Sequence, residues 1–214
     1  MLTPRENLQE VMKGGKPERF VKQYEAFNIV MTATHRARHN PKPGELNVVN
    51  NWGVTVSWAD GQPGAFPVHT PELIVCKDIE DWKEYVKKPS LKLPESEWEK
   101  DIEAFEKIDR KSQYAMPFVA PGIFEMCHYL GEISNVCAAF YECPDELKEL
   151  IKYITEFELE LAEVTCDHLN PDGLFHHDDW GTQISTFMSP EMFEEFLLDS
   201  YKEVYGYWKS RGVE

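Results

Sequence analysis

The chain has 214 residues, 42% of them hydrophobic and 28% charged, which is enough apolar sequence for a real core and excludes both a disordered tail and a mini-protein. Its 38 acidic residues against 22 basic ones give a formal charge of −16, which repels phosphate backbones and anionic lipid and argues against nucleic-acid or membrane-surface partners. No run approaches the roughly 18 apolar residues of a membrane span.

In "LTPRENLQEVMKG", Thr3 suits an N-cap, Pro4 the first helical position and Glu6 a capping box, and Gly14-Gly15 stops the helix. "RFVKQYEAFNIV" fits strand or helix equally. "NVVNNWGVTVSWADGQPGAFPVH" alternates Val and Trp before a Gly/Pro-rich turn and predicts a hairpin or extended loop. "DIEDWKEYVKK" and "ESEWEKDIEAFEKIDRK" carry helical spacing on either side of "PSLKLP". A strand over Ala115 to Val119, a turn at Pro121-Gly122 and a helix from Ile123 come next. "CPDELKELIKYITEFELELAEVTCDHL" is the clearest helix, with Leu147, Leu150, Ile151, Ile154, Phe157, Leu161 and Val164 on one stripe. "NPDG" ends it, a brief strand follows at "LF", and Ser189-Pro190 opens a last helix carrying Met192, Phe193, Phe196, Leu197 and Tyr201 inward.

Successive strand–loop–helix units predict an α/β fold with parallel strands covered by helices. The five cysteines are odd in number, widely spread and without a C-x-x-C pair, and "MLTPRENLQE" contains no apolar signal region, so a reducing, cytoplasmic setting is expected.

In α/β folds ligands sit at the carboxyl ends of the parallel strands, which directs attention to "PDGLFHHDDWGTQ". Asp178 and Asp179 can hold a cation, accept bonds from a polar substrate or exchange a proton, and His176 and His177 can ligate metal or shuttle protons. Strand alternation sends His176 and Asp178 one way, His177 and Asp179 the other. A hydrated loop in which an aspartate caps the following helix stays open as the alternative. Tyr129, one turn into the helix after the Pro-Gly loop, can donate to an anionic intermediate or belong to the core. "THRARHN" can bind carboxylates but reads as a solvated basic loop. Trp52, Trp58 and Trp180 form a wall for a flat ligand or simply pack. Cys127, His128 and Cys137 lack a metal-ligand spacing, so the two cysteines read as small buried hydrophobes. No nucleotide-binding glycine motif, P-loop, G-x-S-x-G or H-E-x-x-H is present.

"PFVAPGIFEMCHYLG", "CPDELKELIKYITEF" and "GLFHHDDWGTQISTFMSPEMFEEFLLDSYKEVYGYWKSRG", in that order, resemble the uroporphyrinogen decarboxylase superfamily, which also holds cobalamin-dependent methyltransferases. The resemblance implies a (β/α)8 TIM barrel with its cleft at the strand ends, a single domain over 1–214 forming the N-terminal two-thirds of that barrel. By position Tyr129 matches the family's active-site tyrosine, Asp178 the acidic residue of its strand-end turn, and Asp179 a position where decarboxylases have a small hydroxyl residue. The resemblance therefore implies catalytic roles for Asp178, Asp179 and Tyr129, and substrate contacts for His177, His176, Trp180 and Asn51.

Two departures choose the branch. The region "VKQYEAFNIV" lacks the family's arginine-rich carboxylate-binding segment, and the catalytic aspartate of its "S-D-I" stretch has Asn51 as nearest counterpart. An acidic chain without those arginines holds a polycarboxylate poorly. The expectation is therefore a methyltransferase moving a methyl group between a small methylated substrate and a corrinoid protein. Zinc is a further candidate cofactor, its ligands expected outside this chain and none assigned here. Uroporphyrinogen decarboxylation and a truncated, non-catalytic binding partner are the alternatives. A barrel ending at "KSRGVE" is shorter than the roughly 250 residues the fold needs, so the chain is expected to be a fragment or to be completed by another chain, and to self-associate through exposed strand edges.

Overall fold

The computed structural model describes residues 1–214. Nine helices and six short strands alternate along it: α1 (Pro4–Met12), β1 (Phe27–Val30), α2 (Ala33–Arg36), β2 (Val48–Val49), β3 (Thr55–Ser57), β4 (Phe66–Pro67), a 3-10 turn (Ile79–Asp81), α3 (Trp82–Tyr85), α4 (Glu95–Glu106), β5 (Tyr114–Val119), α5 (Ile123–Gly131), α6 (Ile133–Glu142), α7 (Pro144–Leu169), β6 (Phe175–His176), α8 (Pro190–Phe196) and α9 (Leu198–Ser210).

Three strands lie parallel in the order β1-β5-β6, with Phe27 opposite Tyr114 and Phe118 opposite Phe175. The other three form a separate antiparallel sheet, β2-β3-β4. The eight-stranded TIM barrel, whole or two-thirds complete, is therefore corrected to an α/β fold with one small parallel sheet and one small antiparallel sheet. The reason is local. Residues 48–67 turn back on themselves at Gly53 and Gly61, both with φ of 81°, a conformation glycine adopts at little cost. Strands joined that closely pair antiparallel and cannot supply the parallel crossovers a barrel requires.

Helix ends follow the sequence. Thr3 accepts from the Glu6 backbone N–H while Glu6 reaches back to Thr3, completing the capping box, and Ser189 caps α8 through the Met192 N–H. Two expected single helices are broken. Glu132, at φ of 68°, separates α5 from α6 and caps the second through the N–H groups of Ser134 and Asn135. Leu197, at φ of −120°, separates α8 from α9.

The 26-residue α7 runs through the centre of the main core. Leu147, Leu150, Ile151 and Ile154 are almost completely buried and pack with Trp52, Phe124, Leu130, Leu197 and Trp208. A smaller cluster of Ala33, Trp98, Phe105, Ala115 and Leu169 sits under β1 and β5. Helices thus cover one face of the parallel sheet and leave the ends of β5 and β6 reachable from α5 and α9. No helix is long and apolar enough to cross a membrane.

Leu150→Ala removes a fully buried side chain from α7 and should cost about 2–5 kcal/mol. Urea unfolding should show a lower midpoint at unchanged slope; a loss within about 0.5 kcal/mol, the range of surface changes, would show that α7 does not carry the core.

Candidate functional site

Beyond β5 the chain turns through Ala120-Pro121-Gly122 into α5, and beyond β6 it continues as His177-Asp178-Asp179. The His177 backbone N–H still bonds the Val119 carbonyl at 2.8 Å, so both strand ends are held side by side. In this register the two histidines and two aspartates separate by side.

His176 points under the sheet. Its Nε2 meets Glu158 of α7 at 2.9 Å and its Nδ1 meets the Tyr205 hydroxyl of α9 at 3.1 Å; the side chains of His176 and Glu158 are only 5% and 4% exposed. Burial pulls the imidazole pKa down, but the charge and hydrogen bond of Glu158 outweigh it and hold His176 above its ordinary value.

Asp178 also turns inward. One carboxylate oxygen accepts from the Glu125 backbone N–H at 2.7 Å, the other from the Phe124 N–H at 3.1 Å and from the Tyr201 hydroxyl. Gly122, the residue at the N-terminal end of α5, offers no side-chain cap of its own, so Asp178 caps α5 from another strand and faces the positive end of its dipole. The aspartate therefore caps the helix that precedes it in sequence, where the residue pattern suggested the helix that follows. A Cβ at Gly122 would overlap this carboxylate, which is why glycine stands there.

His177 and Asp179 face outward. The His177 side chain is 51% exposed, yet its Nδ1 lies 2.9 Å from Glu125 Oε2, a carboxylate only 10% exposed. That hydrogen bond, against partial burial and helped by the charges of Glu125, Asp178 and Asp179, raises the His177 pKa above its usual value. With Nδ1 turned to Glu125, Nε2 is left for the open side. Asp179 is exposed and accepts only a long 3.4 Å contact from the Gly181 N–H. Tyr129 lies half-buried beside Glu125; burial first and Glu125 second push its hydroxyl pKa well up, so it is a hydrogen-bond donor at neutral pH. His128, half-buried on the same helix, is held below its usual pKa by desolvation, against the neighbouring carboxylates.

Trp180 donates to the Tyr201 hydroxyl at 2.9 Å and stays 40% exposed, tilted against Phe193. Trp52 is core, packed edge-on against Phe157, and does not join it in a wall. Asn51 lies apart from the histidines: its Nδ2 donates to the Ala37 carbonyl at 3.0 Å, beside Arg38.

"THRARHN" is not the solvated loop its composition suggests. Arg38 is 8% exposed and donates to the Ala120 carbonyl at the end of β5. Burial lowers its pKa to about 10, still charged at neutral pH, with Tyr129, Glu125 and Glu158 close enough to oppose the shift. His35 is driven down to about 4 by burial and by Arg38 and Arg36, and is neutral. The structure therefore brings together His177, Glu125, Tyr129 and Arg38 around the β5–α5 turn. Arg38 falls in "THRARHN", which the pattern offered as a carboxylate binder but favoured as a solvated loop; Glu125 was not singled out and had one usable signal, its place in the first turn of the helix following the strand-end loop.

No family model, curated protein or solved structure matches this chain. No group of three or more His, Cys, Asp or Glu side chains converges in a way that could hold a metal ion. The five cysteines are unpaired, and burial raises the Cys76 thiol to about 12 and Cys127 beyond that, so neither is a thiolate at neutral pH.

Asp178→Ala strands two backbone N–H groups and the Tyr201 hydroxyl and should lower stability by about 1–3 kcal/mol, with Asp178→Asn in between. Equal urea midpoints for wild type and Asp178→Ala would contradict its capping role.

Proposed function

We propose that the chain is an enzyme that transfers a proton to or from a small polar substrate at the β5–β6 strand ends, with His177 as the acid–base group. Within that class we favour methyl transfer between a small methylated compound and a corrinoid protein. The observation that carries the reading is the His177–Glu125 pair: an accessible imidazole whose far nitrogen is held at 2.9 Å by a nearly buried carboxylate. A carboxylate so placed fixes the ring orientation and favours the imidazolium, the arrangement of an oriented general acid or base.

Each neighbouring side chain has a part. Tyr129 supplies a neutral hydroxyl donor beside Glu125. Arg38 supplies the buried positive charge behind the turn, which favours a substrate bearing negative charge near its reacting group. In a methylated donor of the form CH3–X–R, with X an oxygen or nitrogen, the His177 imidazolium gives its Nε2 proton to X as the C–X bond breaks; the bonding pair stays on X and the methyl group leaves to the nucleophile. A reduced corrinoid, if bound on a partner protein, would supply that nucleophile. The surface beside His177 suits a flat, partly apolar group, since Trp180 is 40% and Ile184 95% exposed in the loop that follows β6. Zinc ligands are assigned to no residue of this chain, and the reading takes no step through zinc.

The support from the sequence is the order of elements that the resemblance rests on: β5, the α5 turn, α7, β6 with its acidic end, and the Ser189-capped α8. Decarboxylation of uroporphyrinogen stands behind methyl transfer, because one buried arginine is little to set against many substrate carboxylates.

His177→Gln should lower kcat for demethylation of a methoxylated or methylamine donor by roughly 10²–10⁴-fold, with cob(I)alamin as acceptor. The pH dependence follows from the sign of the shift: a general acid is active when protonated, so the rate should hold at low pH and fall as pH rises through the raised His177 pKa. Methyl transfer by wild type with no loss in His177→Gln would overturn the role of His177; no methyl transfer from any such donor would overturn the reaction.

A further inference from the structure

Between α7, the α2 loop and the end of β5 lies a small cavity of about 30 Å³, partly open to solvent, lined by Arg38, Asn51, His35 and Glu158 among apolar neighbours. Four buried polar side-chain atoms on its wall have no hydrogen-bond partner in the protein besides the His35 nitrogen: Arg38 Nε, Arg38 Nη2, Asn51 Oδ1 and Glu158 Oε1. Arg38 and Glu158 are 8% and 4% exposed. Buried polar groups without partners are rare in folded proteins, and here they share one cavity.

Their chemistry selects the occupant. Two are N–H donors and two are oxygen acceptors. A carboxylate or phosphate would satisfy Arg38 but set its oxygens against Glu158 and Asn51; an ammonium ion would do the reverse. A molecule that accepts two hydrogen bonds and donates two satisfies all four. The volume of about 30 Å³ admits a water, which needs roughly 10–15 Å³ of such space; the four matched partners, two donors and two acceptors, are what single out one.

We propose that this cavity is a binding site for one ordered water, which accepts from Arg38 and donates to Glu158 and Asn51. The water joins two groups that the protein leaves separate. Tyr205, His176 and Glu158 already form a chain through contacts of 3.1 Å and 2.9 Å, and Arg38 already donates to the Ala120 carbonyl. With the water in place the chain runs from α9, under the sheet, to the last residue before the β5–α5 turn. Arg38 is then a positioning residue, holding the turn from which Glu125 projects. The inference does not depend on which reaction the cleft performs.

The test uses the full chain. A crystal structure at a resolution that orders solvent should show a single peak within hydrogen-bonding distance of Arg38 Nη2 and Glu158 Oε1. In solution, the Arg38 Hε proton should give a cross-relaxation signal to a long-lived water, and Asn51→Leu, which fills the cavity and removes one acceptor, should abolish it. An empty cavity, an ion or organic anion in the peak, or an Arg38 side chain turned directly onto Glu158 would each overturn the proposal. So would the absence of the water signal in wild type, or its persistence in Asn51→Leu.

Discussion

One carboxylate holds three elements in register. Asp178, just past β6, accepts from two backbone N–H groups at the start of α5 and from Tyr201 of α9. The first turn of a helix has N–H groups with no partner inside the helix, and α5 has no capping side chain of its own. Through Asp178 the end of the sheet becomes the cap of α5, and this fixes where Glu125 stands. Since Glu125 donates its own backbone N–H to Asp178 while its side chain meets His177, two consecutive strand-end residues, Asp178 and His177, grip one helical residue from two sides. The His177–Glu125 contact is a by-product of that capping geometry.

The protein's charge makes this arrangement informative. In a chain of net charge −16, positive groups kept at the strand ends stand out against the background. Arg38 is buried at the end of β5, and His176 and His177 are each held above their ordinary pKa by a carboxylate partner. The two imidazoles differ in what surrounds them. His176 lies among Glu158, Tyr205 and Tyr201 under the sheet; His177 is half-exposed and faces solvent.

Local features were legible in the sequence because they depend on neighbouring residues. The capping box at Thr3 and Glu6, the strand ending at Val119, the apolar stripe of α7 and the cap at Ser189 all follow from spacing and propensity. The breaks at Glu132 and Leu197 were not legible, since both interrupt patterns whose apolar spacing continues across them. The barrel failed for a different reason: strand count and pairing are long-range properties, and the short turns at Gly53 and Gly61 settled residues 48–67 as an antiparallel sheet. At the site, "HHDD" marked a polar stretch close to a strand end, and strand alternation separated His176 and Asp178 from His177 and Asp179 as observed, but it did not show which pair faces outward or what each member meets. That division is set by Glu125, Glu158 and Tyr201, which lie tens of residues away in sequence. Arg38 was hidden in a stretch whose composition resembles a solvated loop, and only tertiary packing reveals that it is buried.

The central claim is that Glu125 holds His177 as an oriented acid–base group. Histidine titration followed by NMR in wild type and in Glu125→Gln tests it directly. The account predicts a His177 pKa above the ordinary value of roughly 6.5 in the wild-type protein and a fall toward that value in the variant, with His176 changing far less. A His177 pKa at or below the ordinary value in wild type, or one that is the same in both proteins, would contradict it.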